Sequence, residues 1–108
     1  MSDQSADIPC YMLANFQVHD KDEYRKYEKG FFPILQRYNG TFYTYDDNPV
    51  HLEGESPRTG RVVIFGFPSE QAALDWYNDP DYQALSEFRR GGTKLEFITL
   101  VHGLAPRK

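Results

Sequence analysis

The chain has 108 residues, enough for one domain, and its formal net charge at pH 7 is −4. An acidic balance argues against a sequence-independent nucleic-acid binder, because such proteins present a basic stripe to the phosphates. The single cysteine, Cys10, leaves no internal disulfide framework, which fits a reducing cytoplasm. Residues 1–9 are polar, and no apolar run approaches the roughly 20 residues that cross a bilayer. We therefore expect a cytoplasmic protein with no nucleic-acid partner and no membrane segment.

The first third of the chain predicts a strand followed by a long helix. Residues 10–19 alternate between an apolar row and a mixed row, which is the pattern of a half-buried strand. Asp20 is a suitable N-cap for a helix that runs to about Tyr38, and residues 39–40 (Asn-Gly) end it with a left-handed cap. The predicted buried stripe of this helix consists of Tyr24, Tyr27, Phe31, Ile34, Leu35 and Tyr38.

The middle of the chain predicts two strands separated by a polar loop. Residues 41–45 are aromatic and β-branched, and after a turn residues 50–53 resume the same strand. In that extension, His51 and Glu53 share one face. After the loop, residues 61–67 are nearly continuous apolar sequence, which is typical of a central strand that is covered on both faces.

The most specific stretch of the sequence, residues 67–82, predicts the end of a strand and two short helices. Ser69 is a good N-cap for the first helix, and Asp79, which precedes a proline, is a good N-cap for the second. A break at residues 90–92 (Arg-Gly-Gly) precedes a last strand over residues 95–101.

The element order β-α-β-β-α-β predicts an α+β fold of the ferredoxin-like type. Its four strands form an antiparallel sheet in the order 4-1-3-2, with the helices on one face. We expect a single domain over residues 10–103, between a flexible N-terminal tail of residues 1–9 and a C-terminal tail of residues 104–108. Because the third strand is apolar on both sides, the helix-free face needs a cover. We infer a homodimer whose two sheets enclose a cavity.

Short motifs along the chain resemble one family. They are Tyr11-Met12-Leu13-Ala14-Asn15, Tyr24-x-x-Tyr27, Asn39-Gly40, Leu52-Glu53-Gly54, Phe67-Pro68-Ser69, Ala72-Ala73, Trp76-Tyr77, Pro80, Tyr82 and Arg89. Over residues 10–103 the chain resembles the DUF1330 family, which implies a dimeric α/β-barrel of ferredoxin-like topology and no established activity. The wider superfamily includes cofactor-independent monooxygenases, muconolactone isomerase-like enzymes, haem peroxidases and ligand-binding domains, so the fold alone does not choose a function. Many relatives carry an acidic residue just before the Phe-Pro-Ser motif, where this chain has Gly66.

The candidate catalytic residues are His51 and Glu53. A histidine titrates near neutral pH and a neighbouring carboxylate fixes its tautomer, so the two can act as an acid–base pair. The alternative is an ordinary polar row on an exposed edge strand. Asn15 lies where the first strand turns polar, and its amide either bonds a ligand carbonyl or is satisfied within the fold.

The other candidate ligand-binding residues are arginines and tyrosines. Arg61 opens the central strand and Arg89 lies on the last short helix, and an arginine fork suits a carboxylate ligand. The alternative for each is a structural salt bridge, for Arg61 with Glu53 or a neighbouring aspartate. Tyr77 and Tyr82 carry hydroxyls that need partners, and either hydroxyl points into a cavity or ties a helix to the sheet.

The sequence leaves three hypotheses of function. The histidines are far apart and no cluster has metal-ligand spacing, so we expect neither a metal nor a cofactor. The first hypothesis is a small-molecule-binding protein with a pocket on the sheet face, either beneath the helices or in the dimer cavity. The second is a cofactor-independent oxygenase or isomerase that acts on a small aromatic or lactone-like substrate. The third is a structural or partner-binding dimer that holds no ligand.

Overall fold

The computed structural model describes residues 8–105. Its elements are β1 (Cys10–Val18), α1 (Lys21–Arg37), β2 (Thr41–Asp46), β3 (Arg61–Phe67), α2 (Glu70–Asn78), α3 (Pro80–Gly92) and β4 (Thr93–His102). This order confirms the predicted α+β, ferredoxin-like class. Residues 1–7 of the expected N-terminal tail and residues 106–108 of the expected C-terminal tail lie outside the described residues.

The helices of the described chain are short and amphipathic. The longest, α1, has 17 residues and carries charged side chains along its length. None of the helices within residues 8–105 has the length and hydrophobicity that a membrane span needs.

The sheet is antiparallel throughout and has the order β2-β3-β1-β4. This is the predicted order 4-1-3-2 read from the opposite edge. In the central pair, Cys10 lies opposite Phe67 and Phe16 lies opposite Arg61. The side chain of Arg61 therefore starts at the end of the sheet where β1 leads into α1.

Short polar side chains begin the three helices as the sequence predicts, because a free backbone N–H at a helix start needs an acceptor. The oxygens of Asp20, Ser69 and Asp79 accept from the backbone N–H groups of Glu23, Ala72 and Asp81, at 3.1, 3.1 and 2.7 Å. These caps confirm the predicted starts of α1, α2 and α3.

The core between the helices and the sheet is built from aromatic rings. Trp76 is fully buried, with its ring centroid 4.0 Å from that of Tyr82 and 5.2 Å from that of Phe65. Phe31 of α1 packs edge-on against Phe65, at 5.4 Å. The segment after β3 therefore supplies the centre of the core.

Helices α1 and α3 run antiparallel and are joined at both ends. At one end, the backbone N–H groups of His19 and Asp20 donate to the carbonyl of Gly92, at 2.9 and 3.1 Å. At the other end, Arg37 donates to the carboxylate of Asp81 at 2.9 Å. These contacts hold the two helices at a set spacing over the sheet.

The predicted extension of the second strand over residues 50–53 is wrong. Residues 47–60 form a loop without helix or strand. The register explains the difference, because Asp46 of β2 already lies opposite Val62, and only Arg61 of β3 remains beyond it. Residues 50–53 therefore have no strand to pair with, although they alternate like one.

The predicted break at residues 90–92 is also wrong. Helix α3 continues to Gly92, and β4 begins directly afterwards at Thr93. A Cβ atom at Gly92 would lie 3.0 Å from the carbonyl oxygen of Asp20, so the missing side chain allows α3 to approach the start of α1. At this position the glycine allows two helices to pack closely, and it does not interrupt α3.

The face of the sheet opposite the helices is apolar along its middle. Leu13 of β1 lies opposite Ile64 of β3, and Tyr11 follows on the same face because side chains alternate along a strand. Tyr43 of β2 and Val101 of β4 are large exposed residues at the two flanks of this face. This surface, which we call the open face, has no cover within the described chain.

Candidate functional site

A cavity of about 90 Å³ lies between the helix layer and the sheet. Its walls are mostly aromatic and come from α1, α3 and all four strands. The polar side chains that line it are Tyr24, Tyr27, Glu28, Tyr45, Arg61, Tyr82 and Arg89. The cavity is therefore beneath the helices, on the side of the sheet away from the open face.

The cavity reaches the surface beside β2, at a point that we call the mouth. Phe32 of α1 and Tyr45 of β2 both line it and are 47% and 53% exposed. The guanidinium of Arg61 lies here, with its Cζ atom 4.3 Å from the ring centroid of Tyr45 and 5.4 Å from that of Tyr24. Aromatic faces attract a guanidinium, so these two rings orient Arg61 across the mouth.

Arg61 is fully engaged by carboxylates at the mouth. Its Nε and Nη2 atoms donate to the two oxygens of Asp47, at 2.7 and 3.0 Å, and Nη1 donates to Glu28 at 3.1 Å. The hydrogen bonds from Arg61 lower the pKa of Asp47, and the same contact raises the pKa of Arg61. Arg61 is therefore held in a salt bridge within the fold, which is the alternative given for it above, and its partners are Asp47 and Glu28 rather than Glu53.

Outside the mouth lies a polar cleft of about 500 Å³. It shares Tyr24, Glu28 and Arg61 with the cavity, and Lys21 and Asp47 add further charges. The site thus has two compartments, a small aromatic inner cavity and a larger charged outer cleft, with Arg61 between them.

At the inner end of the cavity a second arginine is buried without a counter-charge. Arg89 of α3 is 3% exposed, and its Cζ atom lies 5.8 Å from the ring centroid of Tyr27. Within residues 8–105, no carboxylate lies within ion-pair distance of Arg89, and its buried Nε atom has no hydrogen-bond partner. Buried charges in proteins are normally paired, so this arrangement is unusual.

Two buried tyrosines stand beside Arg89. The hydroxyls of Tyr27 and Tyr82 are 2.8 Å apart, so one donates to the other. Burial raises the pKa of Tyr27 well above its ordinary value, and burial raises that of Tyr24 to about 12. These phenols therefore stay protonated, and the hydroxyl that accepts within the Tyr27–Tyr82 pair still has a proton to donate.

The structure brings three of the predicted site residues together and separates the others. Arg61, Tyr82 and Arg89 line one cavity. Asn15 does not line it. This amide is buried and donates to the carbonyls of Thr59 and Arg61, at 2.8 and 3.1 Å, so that it fixes the start of β3.

The remaining predicted residues lie away from the cavity. His51 and Glu53 are exposed on the loop of residues 47–60, where the His51 Nε2 atom lies 2.7 Å from the carbonyl oxygen of Gly54. Tyr77 is half-buried against Trp76, and it is not part of the cavity wall. The face that His51 and Glu53 were predicted to share depends on a strand that the structure does not contain.

Sequence reasoning missed four residues of the site. Tyr24 and Tyr27 were assigned to an apolar stripe, although a buried tyrosine hydroxyl needs a polar partner and so signals a polar site. Glu28 and Asp47 are the carboxylates that neutralise Arg61, at sequence separations of 33 and 14 residues. No short motif predicts contacts of that kind.

Gly66, the residue just before the Phe-Pro-Ser motif, is buried on the open face. A Cβ atom here would lie 2.8 Å from the carbonyl oxygen of Cys10 and 3.1 Å from the ring of Tyr43. The rings of Tyr11 and Tyr43 meet beside it, with centroids 6.0 Å apart. A side chain at position 66 would therefore require these neighbours to move, and it would lie outside the cavity.

Fold and site together define a ferredoxin-like α+β domain with an aromatic cavity beneath its helices. The chain belongs to the family described as a domain of unknown function, DUF1330, whose model matches residues 9–104. A comparison with curated proteins finds no match. In the described part of the chain, no cluster of three or more histidine, cysteine or acidic side chains is placed to hold a metal ion.

Solved structures share this fold. The RPA0582 protein of unknown function from Rhodopseudomonas palustris has a TM-score of 0.70 and 21% identity, over 94% of this chain and 85% of that one. SnoaB, a cofactor-independent oxygenase from Streptomyces nogalater, has a TM-score of 0.57 and 14% identity, over 95% and 97%. A dimeric ferredoxin-like protein of unknown function from Thermobifida fusca has a TM-score of 0.51 and 14% identity, over 92% of each chain.

Proposed function

We propose that this protein binds a small molecule in the cavity beneath its helices. The observation that carries the proposal is the buried Nε donor of Arg89, which has no hydrogen-bond partner in the described chain and lines an aromatic cavity together with the Tyr27–Tyr82 hydroxyl pair. A buried donor without a partner costs about 1–3 kcal/mol of stability. A ligand that supplies the acceptor removes this cost, which is why we favour binding over a purely structural role.

The size of the cavity limits what it can hold. Ligand pockets usually enclose about 300–1,000 Å³, and the inner cavity has about 90 Å³. We propose that the inner cavity holds a very small ligand, or one end of a longer ligand that extends into the outer cleft of about 500 Å³. A third reading, a structural protein without ligand, predicts that nothing enters the cavity.

Native mass spectrometry of protein purified from its own host tests the binding proposal. We expect the wild type to retain a small molecule. We expect Ala14→Leu, which fills the cavity wall at a cost of about 1–3 kcal/mol, to lose it. The matched control is Ala84→Leu, on the exposed surface of α3 and outside the cavity wall. The proposal fails when the wild type retains no molecule and no compound in a broad library raises its melting temperature.

We also propose that a second copy of this chain covers the open face. Leu13, Ile64 and Tyr11 make that face apolar, and exposed apolar faces of this kind are normally interfaces. The Thermobifida fusca protein of the same fold is described as dimeric. By light scattering, we expect a wild-type dimer that Ile64→Glu dissociates and that Ala84→Glu, on the helix side, leaves intact. A stable wild-type monomer at micromolar concentration contradicts the proposal.

The second candidate function is a cofactor-independent oxygenase or isomerase. SnoaB has the same fold, but that likeness concerns the fold alone. Such chemistry needs a base beside the substrate. The phenols of Tyr24 and Tyr27 have raised pKa values, and Glu28 is hydrogen-bonded to Arg61. We therefore favour binding without turnover, and substrate-dependent oxygen uptake by the purified protein would favour the enzyme instead.

A further inference from the structure

We propose that the ligand of the inner cavity is a small organic acid whose carboxylate pairs with Arg89. This inference rests on the proposed function and adds the chemical class of the ligand. Arg89 is 3% exposed and lines a cavity of about 90 Å³. A guanidinium stays protonated at every pH at which a protein is folded, so its charge is present in the cavity at all times.

One of the charges that line the cavity has no partner within the described chain. Glu28, Arg61 and Arg89 are the charged residues of its wall. Glu28 forms a salt bridge with Arg61. Asp47, which lies in the outer cleft, forms a second salt bridge with the same arginine. No carboxylate of residues 8–105 pairs with Arg89, so the positive charge at the inner end has no direct ion-pair partner.

The protein groups at the inner end offer only hydrogen-bond donors, so they favour a ligand group that has acceptors and no donor of its own. Arg89 offers only N–H donors, and the Tyr27–Tyr82 pair offers one phenolic proton. A carboxylate has two oxygens and no proton to place, so one oxygen can accept from the guanidinium while the other accepts from the phenol. Charge-assisted hydrogen bonds of this kind are about twice as strong as neutral ones.

The cavity favours a carboxylate over a phosphate or a sulfate. Its single charge matches the single uncompensated arginine, whereas a phosphate dianion would leave a negative charge among aromatic rings. The cavity walls also include Phe16, Phe31 and Ile98, which suit the apolar carbons of a short acid. An apolar cavity of about 150 Å³ holds benzene, so about 90 Å³ corresponds to an acid with only a few carbon atoms.

Calorimetry with propionate and propionamide, at constant ionic strength, tests the proposal. The two compounds have the same shape and differ in charge. We expect wild-type protein to bind propionate at least roughly tenfold more tightly than propionamide, since only the anion pairs with Arg89. We expect Arg89→Met to lose this preference. The matched control is Arg90→Met, because Arg90 is the next residue of α3 but is exposed and paired with Glu87.

The outcomes separate this inference from the proposed function. Equal affinity for the two compounds, or propionate binding that survives in folded Arg89→Met, overturns the carboxylate and leaves small-molecule binding intact. Tighter binding of inorganic phosphate than of propionate also overturns it. When Arg89→Met does not fold, by circular dichroism, the wild-type comparison of the two compounds decides alone. A wild type that retains no molecule from its host and binds no compound overturns the proposed function as well.

Discussion

The two ends of the cavity each hold one arginine, and the two arginines have opposite surroundings. At the mouth, Arg61 contacts Asp47 and Glu28 through three hydrogen bonds and lies against two aromatic rings. At the inner end, Arg89 is more deeply buried, and no acidic side chain of the described chain reaches it. The more solvated charge is neutralised and the less solvated one is not.

This difference separates an arginine that the fold explains from one that it does not. Arg61 joins the loop of residues 47–60 to α1 across the edge of the sheet, and its charge is balanced in the protein itself. Arg89 has no salt bridge with a neighbouring side chain of the described chain, and an unpaired buried charge lowers the stability of the fold. This contrast is the reason why we propose that the partner of Arg89 is a ligand.

The largest expected effect compares the two arginines directly. We expect Arg61→Met to lower the free energy of unfolding by about 1–2 kcal/mol, since it removes charge-assisted hydrogen bonds that are partly exposed. We expect Arg89→Met to leave that free energy unchanged or to raise it by up to about 1 kcal/mol, because it removes an unpaired buried charge. Urea denaturation in a buffer free of carboxylates measures both. An equal loss for the two variants would show that Arg89 has a protein partner after all.

A smaller effect concerns the hydroxyls beside Arg89. We expect Tyr82→Phe to lower the free energy of unfolding by about 1 kcal/mol, because it leaves the buried hydroxyl of Tyr27 without its partner at 2.8 Å. Tyr77→Phe, which removes a hydroxyl outside the cavity, is the control and changes the free energy by less than about 0.5 kcal/mol. Urea midpoints of the two variants decide the matter, and equal losses contradict a special role for the pair.

The smallest effect is a pH dependence confined to the mouth. The hydrogen bonds from Arg61 lower the pKa of Asp47 in the folded protein, with a further contribution from Lys21. Relative to the ordinary value of about 3.9, a lowered pKa means that Asp47 stabilises the fold above about pH 4 and stops doing so as the pH falls through the folded-state pKa. Near neutral pH, we expect the free energy of unfolding of the wild type to exceed that of Asp47→Asn by a few tenths of a kcal/mol.

That advantage should shrink as the pH falls below about 4, because protonated Asp47 no longer attracts Arg61. The comparison variant is Arg89→Met, whose difference from wild type stays constant over the same range, since the described chain places no acidic partner at Arg89. Urea denaturation as a function of pH measures both differences. A gap between wild type and Asp47→Asn that widens in acid contradicts the role of Asp47.

Much of the fold follows from local signals in the sequence. Asp20, Ser69 and Asp79 cap the helices that they were predicted to cap, because capping depends on residues only two or three positions away. The strand extension over residues 50–53 failed for the opposite reason. Its alternation is a local pattern, but a strand also needs a partner, and the register of β2 against β3 leaves none.

The site was predictable only in part, for the same physical reason. Arg89 and Tyr82 were identified by their chemistry, since buried arginines and tyrosines need polar partners. Whether a partner exists depends on contacts between distant segments, such as that of Tyr27 with Tyr82, 55 residues apart. Asn15 illustrates the limit, because its donors are used by the carbonyls of Thr59 and Arg61, which no sequence pattern announces.

The joining of α1 and α3 at both ends has a consequence for how the cavity can change shape. Gly92 accepts two backbone hydrogen bonds at one end, and Arg37 pairs with Asp81 at the other, so the two helices are tied together at both ends. A ligand larger than the present space cannot gain room by spreading the helices without breaking these contacts. Room would come instead from rotation of Phe32 and Tyr45, which are about half exposed at the mouth, since exposed side chains in general exchange rotamers within nanoseconds.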